Sequence, residues 1–129
     1  MHTLPIQLRF NDVDAMGHVN NAVIMEFFDL GKAHFLADHG IHAEEGDFTV
    51  MVVHVEVDFR SQIHMNDAIA VETELERIGN KSLHIVQRVV KTDGTHCAEC
   101  RTVMAGYCRS TATSAPIPDT VRQLLSSES

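Results

Sequence analysis

The hydrophobic pattern changes from strand-like to helix-like within the first forty residues. Residues 3–10 place a hydrophobic side chain at every second position, which predicts a half-buried strand. Residues 11–20 are rich in Asn, Asp and Gly and predict a loop. A helix is then predicted over residues 21–38, because Asn20 is a suitable N-cap and Gly40 a suitable stop signal.

Two adjoining apolar stripes along this helix predict a wide buried face. The stripes consist of Val23, Phe27 and Leu30, and of Ile24, Phe28, Gly31 and Phe35. A glycine inside a helix costs about 1 kcal/mol relative to alanine. We therefore expect Gly31 to mark close packing of the helix against a strand, and the helix to be central in the domain.

From residue 48 onward the pattern has the period of two that is typical of strands. Strands are predicted over residues 48–60, 68–77, 82–92 and 96–108. Asp93-Gly94 is a hairpin signal, and a short helix is predicted over residues 119–126 with Asp119 as a possible cap. The expected fold class is α+β, with a curved antiparallel sheet of about five strands around one long helix. Residues 1–129 are expected to form a single domain with its core at 3–110.

Charge and composition exclude some classes of function. The 18 acidic and 10 basic residues give a formal charge of −8, which argues against nucleic-acid binding. The sequence contains no run of about 18 apolar residues, so it predicts no membrane span. The N-terminus lacks the features of a signal peptide. The three cysteines suggest no disulfide framework, so we expect a cytoplasmic protein with reduced thiols.

The histidines and cysteines form no recognisable metal motif. The nine histidines are scattered, and no pair has His-Glu-x-x-His spacing. Cys97 and Cys100 form a Cys-x-x-Cys, but no second pair follows, and in a strand their side chains should point to opposite faces. A calcium loop beginning at Asp12 fails because its twelfth position is Val23 rather than Glu. We therefore predict no metal and no cofactor.

The loop between the first strand and the helix carries most of the chemistry. Asp12–Asn21 contains two carboxylates, a glycine, a histidine and two asparagines. The N-terminus of a helix offers unpaired N–H groups and the positive end of the helix dipole, which can stabilise an oxyanion. A neighbouring carboxylate can act as a nucleophile or as a general base for water. These are the groups that a thioester hydrolase needs.

The pattern Asp-x-Asp-x-x-Gly-His-Val-Asn-Asn over Asp12–Asn21, followed by an apolar helix, resembles that of hotdog-fold acyl-CoA thioesterases. The branch is that of 4-hydroxybenzoyl-CoA thioesterase and its short-chain acyl-CoA relatives. The strand Val55–Arg60, Asp67 and the turn Ile78–Ser82 are also similar, and the likeness extends over roughly residues 5–108. The resemblance implies hydrolysis of acyl-CoA to a carboxylic acid and free CoA, without a cofactor.

The resemblance also implies roles for the residues of the loop. Asp14 is expected to be the catalytic carboxylate, and the backbone N–H near Asn21 is expected to point at the thioester oxygen. His18 acts either as a general acid or substrate-positioning donor, or as a hydrogen-bonded loop residue. Asp12 is expected to hold the loop or to tune its neighbour, and Gly17 to support the loop.

Basic and polar surface residues are expected to contact the CoA nucleotide, and Arg60, Lys81 and Ser82 are the candidates. Glu26 on the helix is an alternative base. Asn21 occupies the position of an aromatic residue in 4-hydroxybenzoyl-CoA thioesterase, so the resemblance does not imply an aromatic acyl group.

The resemblance implies a site built across a subunit interface, and an uncovered sheet edge also favours pairing of subunits, so we expect a homodimer or a homotetramer. Two alternatives remain open. The first is a non-catalytic acyl- or CoA-binding protein with the same fold. The second is a thioesterase that acts on acyl carrier protein, which the charge of −8 disfavours because the carrier is acidic.

Overall fold

Six strands and two α-helices are present in the computed structural model of the chain, which describes residues 1–42 and 45–126. The strands are β1 (His2–Ile6), β2 (Phe48–Phe59), β3 (Ile69–Ile78), β4 (Ser82–Lys91), β5 (His96–Cys108) and β6 (Thr113–Ser114). The helices are α1 (Asn21–Asp38) and α2 (Asp119–Leu124), and a short 3₁₀ helix lies at Phe10–Asp12.

The strands form one antiparallel sheet in the order β1-β3-β4-β5-β2, with β6 paired to the end of β5. The long helix α1 packs mainly against β1, β3 and β4. This arrangement confirms the α+β class and the sheet-and-helix architecture of the hotdog fold. The short strand β6 was not predicted, because two residues are too few to show a period.

Both ends of α1 agree with the prediction. The Asn20 side chain caps the helix, since its Oδ1 accepts a hydrogen bond of 2.8 Å from the N–H of Ala22. After the helix, Gly40 has a φ of +80°, the left-handed conformation that commonly ends a helix. The prediction of the buried face is only partly correct, because Leu30 is 46% exposed whereas Lys32 is only 5% exposed.

A buried glutamine explains why a lysine is tolerated beneath the helix. Gln87 on β4 is fully buried, and its Nε2 donates to the carbonyl of Phe28 at 2.9 Å and to Thr73 Oγ1 at 3.1 Å. Its Oε1 accepts from Lys32 Nζ at 3.4 Å, and Lys32 also pairs with Asp29 at 3.3 Å. Because buried polar groups need partners, this cluster joins the middle of α1 to the sheet in one arrangement.

Close packing at Gly31 is confirmed. A Cβ atom at this position would lie 2.7 Å from Val71 Cγ1 and 2.9 Å from Gln87 Nε2. Both distances are shorter than any ordinary carbon contact, so only glycine lets α1 approach the sheet this closely. The lower helix propensity of glycine relative to alanine is the energetic cost of this close packing.

Apart from one-residue differences at the ends of several strands, three details at the ends of elements differ from the prediction. The first strand ends at Ile6 rather than residue 10, because the chain turns into the 3₁₀ helix, where the Asp12 carboxylate accepts from the N–H of Arg9. The N-cap of α2 is Pro118, and Asp119 lies in the first turn of the helix. Residues 125–126 lie beyond α2, which is therefore shorter than predicted.

The prediction that Cys97 and Cys100 point to opposite faces is wrong. Both side chains are buried in the same hydrophobic cluster, and both are free thiols. The pairing of β4 with β5 shifts at Cys97, since Val89 pairs with Ala98 and Val90 with His96. A bulge of this kind adds one residue and so resets the alternation of faces.

Residues 1–42 and 45–126 contain no group of three or more His, Cys, Asp or Glu side chains that could hold a metal ion. None of their helices is long and apolar enough to cross a membrane.

Replacing Gly31 with alanine should destabilise the protein by about 1–3 kcal/mol, because the added methyl group overpacks the helix–sheet contact. The Val71→Ala background should reduce this loss, since it removes the nearest clashing atom. Urea unfolding followed by circular dichroism measures both effects in a protein without tryptophan. If Gly31→Ala lowered the free energy of unfolding equally in the unchanged protein and in the Val71→Ala background, the contact between position 31 and Val71 would be contradicted.

Candidate functional site

The loop between β1 and α1 folds back on itself through a glycine turn. The N–H of Asp14 donates to the carbonyl of His18 at 2.8 Å, and the N–H of Gly17 donates to the carbonyl of Asp14 at 3.0 Å. Val13 and Val19 form an antiparallel bridge on either side of this turn. Gly17 has a φ of +79°, a conformation that residues with a side chain rarely adopt. These observations are consistent with the supporting role expected of Gly17.

The base of this loop is docked on the segment that follows β2. The N–H of Val19 donates to the carbonyl of Ile63 at 2.8 Å, and the backbones of His18 and His64 form an isolated antiparallel bridge. The same segment is tied to the sheet, because the N–H groups of Arg60 and Ser61 both donate to the carbonyl of Cys97. Backbone hydrogen bonds therefore connect the loop with the end of the sheet.

Asp14 is exposed to solvent at the tip of this loop. Its Oδ1 accepts from the N–H of Met16 at 2.9 Å and from the N–H of His18 at 3.2 Å. Among residues 1–42 and 45–126, no group donates a hydrogen bond to its other carboxylate oxygen, Oδ2. The carboxylate is thus oriented by its own loop and keeps one oxygen accessible.

The amides in the first turn of α1 differ in their hydrogen-bond partners. The N–H of Ala22 is capped by the Asn20 side chain, and the N–H groups of Val23 and Ile24 donate to the Asn20 carbonyl. Within the described part of the chain, the N–H of Asn21 has no acceptor. It also lies at the positive end of the helix dipole, where an oxyanion would be stabilised.

Asn21 lines a crevice of about 160 Å³ between the start of α1 and the end of β2. The lining residues are Val19, Asn21, Ile24, Phe59, Arg60, Ser61, Gln62 and Ile63. The structure therefore brings two predicted site residues, Asn21 and Arg60, into one crevice. Asp14 lies on the adjoining loop and is not among the residues that line the crevice in the single chain.

Beyond the loop and the helix, four crevice residues were not predicted as site residues: Phe59, Ser61, Gln62 and Ile63. These residues lie close to Asn21 only because the loop docks on the segment after β2. This docking joins segments about forty residues apart in the sequence. The only local signal was the likeness of the preceding strand to the thioesterase pattern.

Asp12 is almost fully buried, at 1% exposure. Its carboxylate accepts from the backbone N–H of Arg9 at 2.9 Å and pairs with the Arg9 guanidinium at 3.0 Å. Its carbonyl accepts from the N–H of Asn20 at 3.1 Å. These contacts are those of a residue that holds the loop. Glu26, the alternative base, lines a separate groove of about 530 Å³ between β1 and α1 together with Asp12.

The three residues expected to contact the CoA nucleotide are not brought together within one chain. The Arg60 guanidinium pairs with Glu99 at 3.2 Å. Ser82 Oγ lies 3.1 Å from His84 Nε2, and Lys81 is exposed beside it.

Their separation follows from the register of the sheet. The backbone of Arg60 bonds to Cys97, whereas Ser82 pairs with Ala105 on the same strand, β5. At about 3.3 Å per residue, these two points of β5 lie about 26 Å apart. Arg60 therefore lies at the end of the sheet that carries Asn21, and Lys81 and Ser82 lie at the opposite end.

Comparisons with known proteins agree on one family. A family model described as the Thioesterase-like superfamily matches residues 8–125. The acyl-CoA thioester hydrolase YbgC of Escherichia coli is 26% identical over 96 residues, which cover 70% of each chain.

Solved structures show the same likeness over almost the whole chain. A protein from Bacillus stearothermophilus, described as a predicted thioesterase, is 29% identical with a TM-score of 0.87, and the match covers 98% of this chain and 94% of that one. A thioesterase from Thermus thermophilus, solved with coenzyme A and Zn, is 27% identical with a TM-score of 0.84, and the match covers 97% and 91%.

Proposed function

The chain belongs to the Thioesterase-like superfamily, and we propose that it hydrolyses acyl-CoA thioesters to a carboxylic acid and free CoA. The observation that carries this proposal is the N–H of Asn21 at the start of α1, which has no acceptor among residues 1–42 and 45–126 and is close in sequence to the exposed carboxylate of Asp14. The relationship to an acyl-CoA thioester hydrolase supports the choice of reaction. The Thermus thermophilus structure with coenzyme A supports the choice of carrier.

The proposed chemistry divides the work between Asn21 and Asp14. The thioester oxygen accepts a hydrogen bond from the N–H of Asn21, and the helix dipole stabilises the negative charge that develops on that oxygen. Asp14 then acts in one of two ways. As a general base it takes a proton from water, whose oxygen attacks the carbonyl carbon. As a nucleophile it attacks that carbon itself and forms an anhydride, which water then cleaves.

Both routes break the same bond. The tetrahedral intermediate collapses, the carbon–sulfur bond breaks, and the CoA thiolate leaves and takes up a proton. Because Asp14 is exposed and one of its oxygens has no protein partner in the described ranges, a water molecule or a thioester can reach it. The ring of His18 remains a candidate donor to the substrate, because the backbone N–H of His18 already donates to Asp14.

The separation of the CoA candidates favours a site shared by two subunits. β2 is an edge strand of 12 residues, and it exposes Met51, Val52, Val53, Val55 and Phe59. A long hydrophobic edge strand favours pairing with another strand. The most economical partner is β2 of a second copy, because a two-fold axis makes such a contact self-complementary.

Antiparallel pairing of two β2 strands would also complete the site. The partner's strand runs in the opposite direction, so its own turn at Lys81 and Ser82 comes to the end of the sheet where Asn21 and Arg60 lie. We therefore propose a homodimer in which one chain supplies Asp14 and Asn21, and the second chain supplies Lys81 and Ser82 for the CoA nucleotide.

Substituting Asp14 with asparagine should lower kcat for acyl-CoA hydrolysis at least about a hundredfold, because the carboxylate is lost while the shape of the loop is kept. The assay follows release of free CoA with a thiol reagent, across short, long and aromatic acyl groups. Asp119→Asn is the matched control, since Asp119 is an exposed residue of α2 and should leave the rate unchanged.

The same assay distinguishes the alternatives. Binding of acyl-CoA without release of CoA by the unchanged protein would indicate a non-catalytic acyl-binding protein. Faster release from acyl carrier protein than from CoA would indicate the carrier as the substrate. An Asp14→Asn protein as active as the Asp119→Asn control would contradict the assignment of Asp14.

Lysines at Val53 and Val55 should separate the dimer, because equal charges would face one another across the two-fold axis. Light scattering should give twice the chain mass of 14.3 kDa for the unchanged protein and the single mass for the double variant. Thr3→Lys on the opposite edge strand, β1, is the control. A double variant that stays dimeric and active would argue against this interface.

A further inference from the structure

Two imidazole rings meet beside the loop that carries Asp14. The rings of His18 and His64 have centroids 4.9 Å apart and an interplanar angle of 79°, which is an edge-to-face contact. The backbones of the two residues also form an antiparallel bridge. His18 belongs to the loop before α1, whereas His64 lies in the connection between β2 and β3.

The backbone of His64 is held by a carboxylate, and the His64 ring lies beside that carboxylate. The backbone N–H of His64 donates to Asp67 Oδ2 at 2.8 Å, and the ring Nδ1 lies 3.6 Å from the same oxygen. The N–H of Asp67 donates back to the carbonyl of His64 at 3.0 Å. Lys91 Nζ on β4 lies 3.1 Å from Asp67 Oδ2. The His64 N–H and, to a smaller extent, Lys91 lower the pKa of Asp67, which favours its carboxylate form.

His18 connects this cluster with Asp14. The N–H of His18 donates to Asp14 Oδ1 at 3.2 Å, and the carbonyl of His18 accepts from the N–H of Asp14 at 2.8 Å. A displacement of His18 would therefore change both of these hydrogen bonds, and with them the orientation of the Asp14 carboxylate. A continuous series of contacts leads from Lys91 on the sheet through Asp67, His64 and His18 to Asp14.

We propose that His64 is a positioning residue, whose ring holds His18 edge to face and thereby fixes the orientation of the Asp14 carboxylate. This inference rests on the proposed function, because it assigns His64 a role in the same hydrolysis. His64 acts through His18 and touches neither the substrate nor the reacting atoms. Since Asp14 is exposed and the backbone hydrogen bonds that dock the loop do not involve the His64 ring, losing the ring should affect kcat more than stability.

The test compares His64→Ala with His64→Phe, and it uses Met65→Ala as the control. The phenyl ring of the Phe variant can keep the edge-to-face contact, whereas alanine removes it. Met65 is the next residue and is 39% exposed, so its substitution perturbs the same connection without removing a ring from His18.

His64→Ala should lower kcat for the best acyl-CoA about ten- to a hundredfold, with KM and melting temperature nearly unchanged, because a small misplacement of a reacting group has effects of this size. His64→Phe should keep most of the kcat, and Met65→Ala should keep all of it. In ¹H–¹³C spectra, the ring protons of His18, assigned by their loss in His18→Asn, should shift in His64→Ala because the ring current of His64 is removed.

Each contrary result has a distinct meaning. An unchanged kcat in His64→Ala, unchanged His18 ring signals, or a Phe variant as slow as the Ala variant would overturn the positioning role in an enzyme that still releases CoA. Failure of the unchanged protein to release CoA from any acyl-CoA would overturn the proposed function, and the positioning role with it.

Discussion

The hydrogen bond from the N–H of Val19 to the carbonyl of Ile63 is the contact on which the candidate site depends. It docks the end of the loop against the segment after β2, one residue before the Asn20 cap begins α1. The crevice beside Asn21 exists because these two segments meet. A backbone contact is well suited to this task, because it fixes the path of the chain without restricting which side chains line the crevice.

Local signals in the sequence predicted the helix and both of its ends. A capping asparagine and a glycine in the left-handed conformation act within a few residues, so both ends of α1 could be predicted from a short stretch of chain. The glycine at position 31 was informative for the same reason, since a residue that weakens a helix must be explained by packing.

Features that depend on distant partners could not be predicted. Burial of Lys32 requires Gln87, which lies 55 residues further along the chain. The bulge at Cys97 follows from the pairing of β4 with β5, and the contact of His18 with His64 from the docking of the loop. Arg60 and Lys81 were likewise both predicted to contact the CoA nucleotide. Within one chain, however, they lie near opposite ends of β5.

The central claim is that the backbone N–H of Asn21, at the start of α1, donates a hydrogen bond to the thioester oxygen. The most direct measurement of this is the ¹H–¹⁵N signal of Asn21 in the Asp14→Asn protein. Acyl-CoA should move this amide proton downfield, whereas free CoA, which has no thioester carbonyl, should leave it nearly in place. An Asn21 signal that acyl-CoA does not move, while signals elsewhere report binding, would contradict the account.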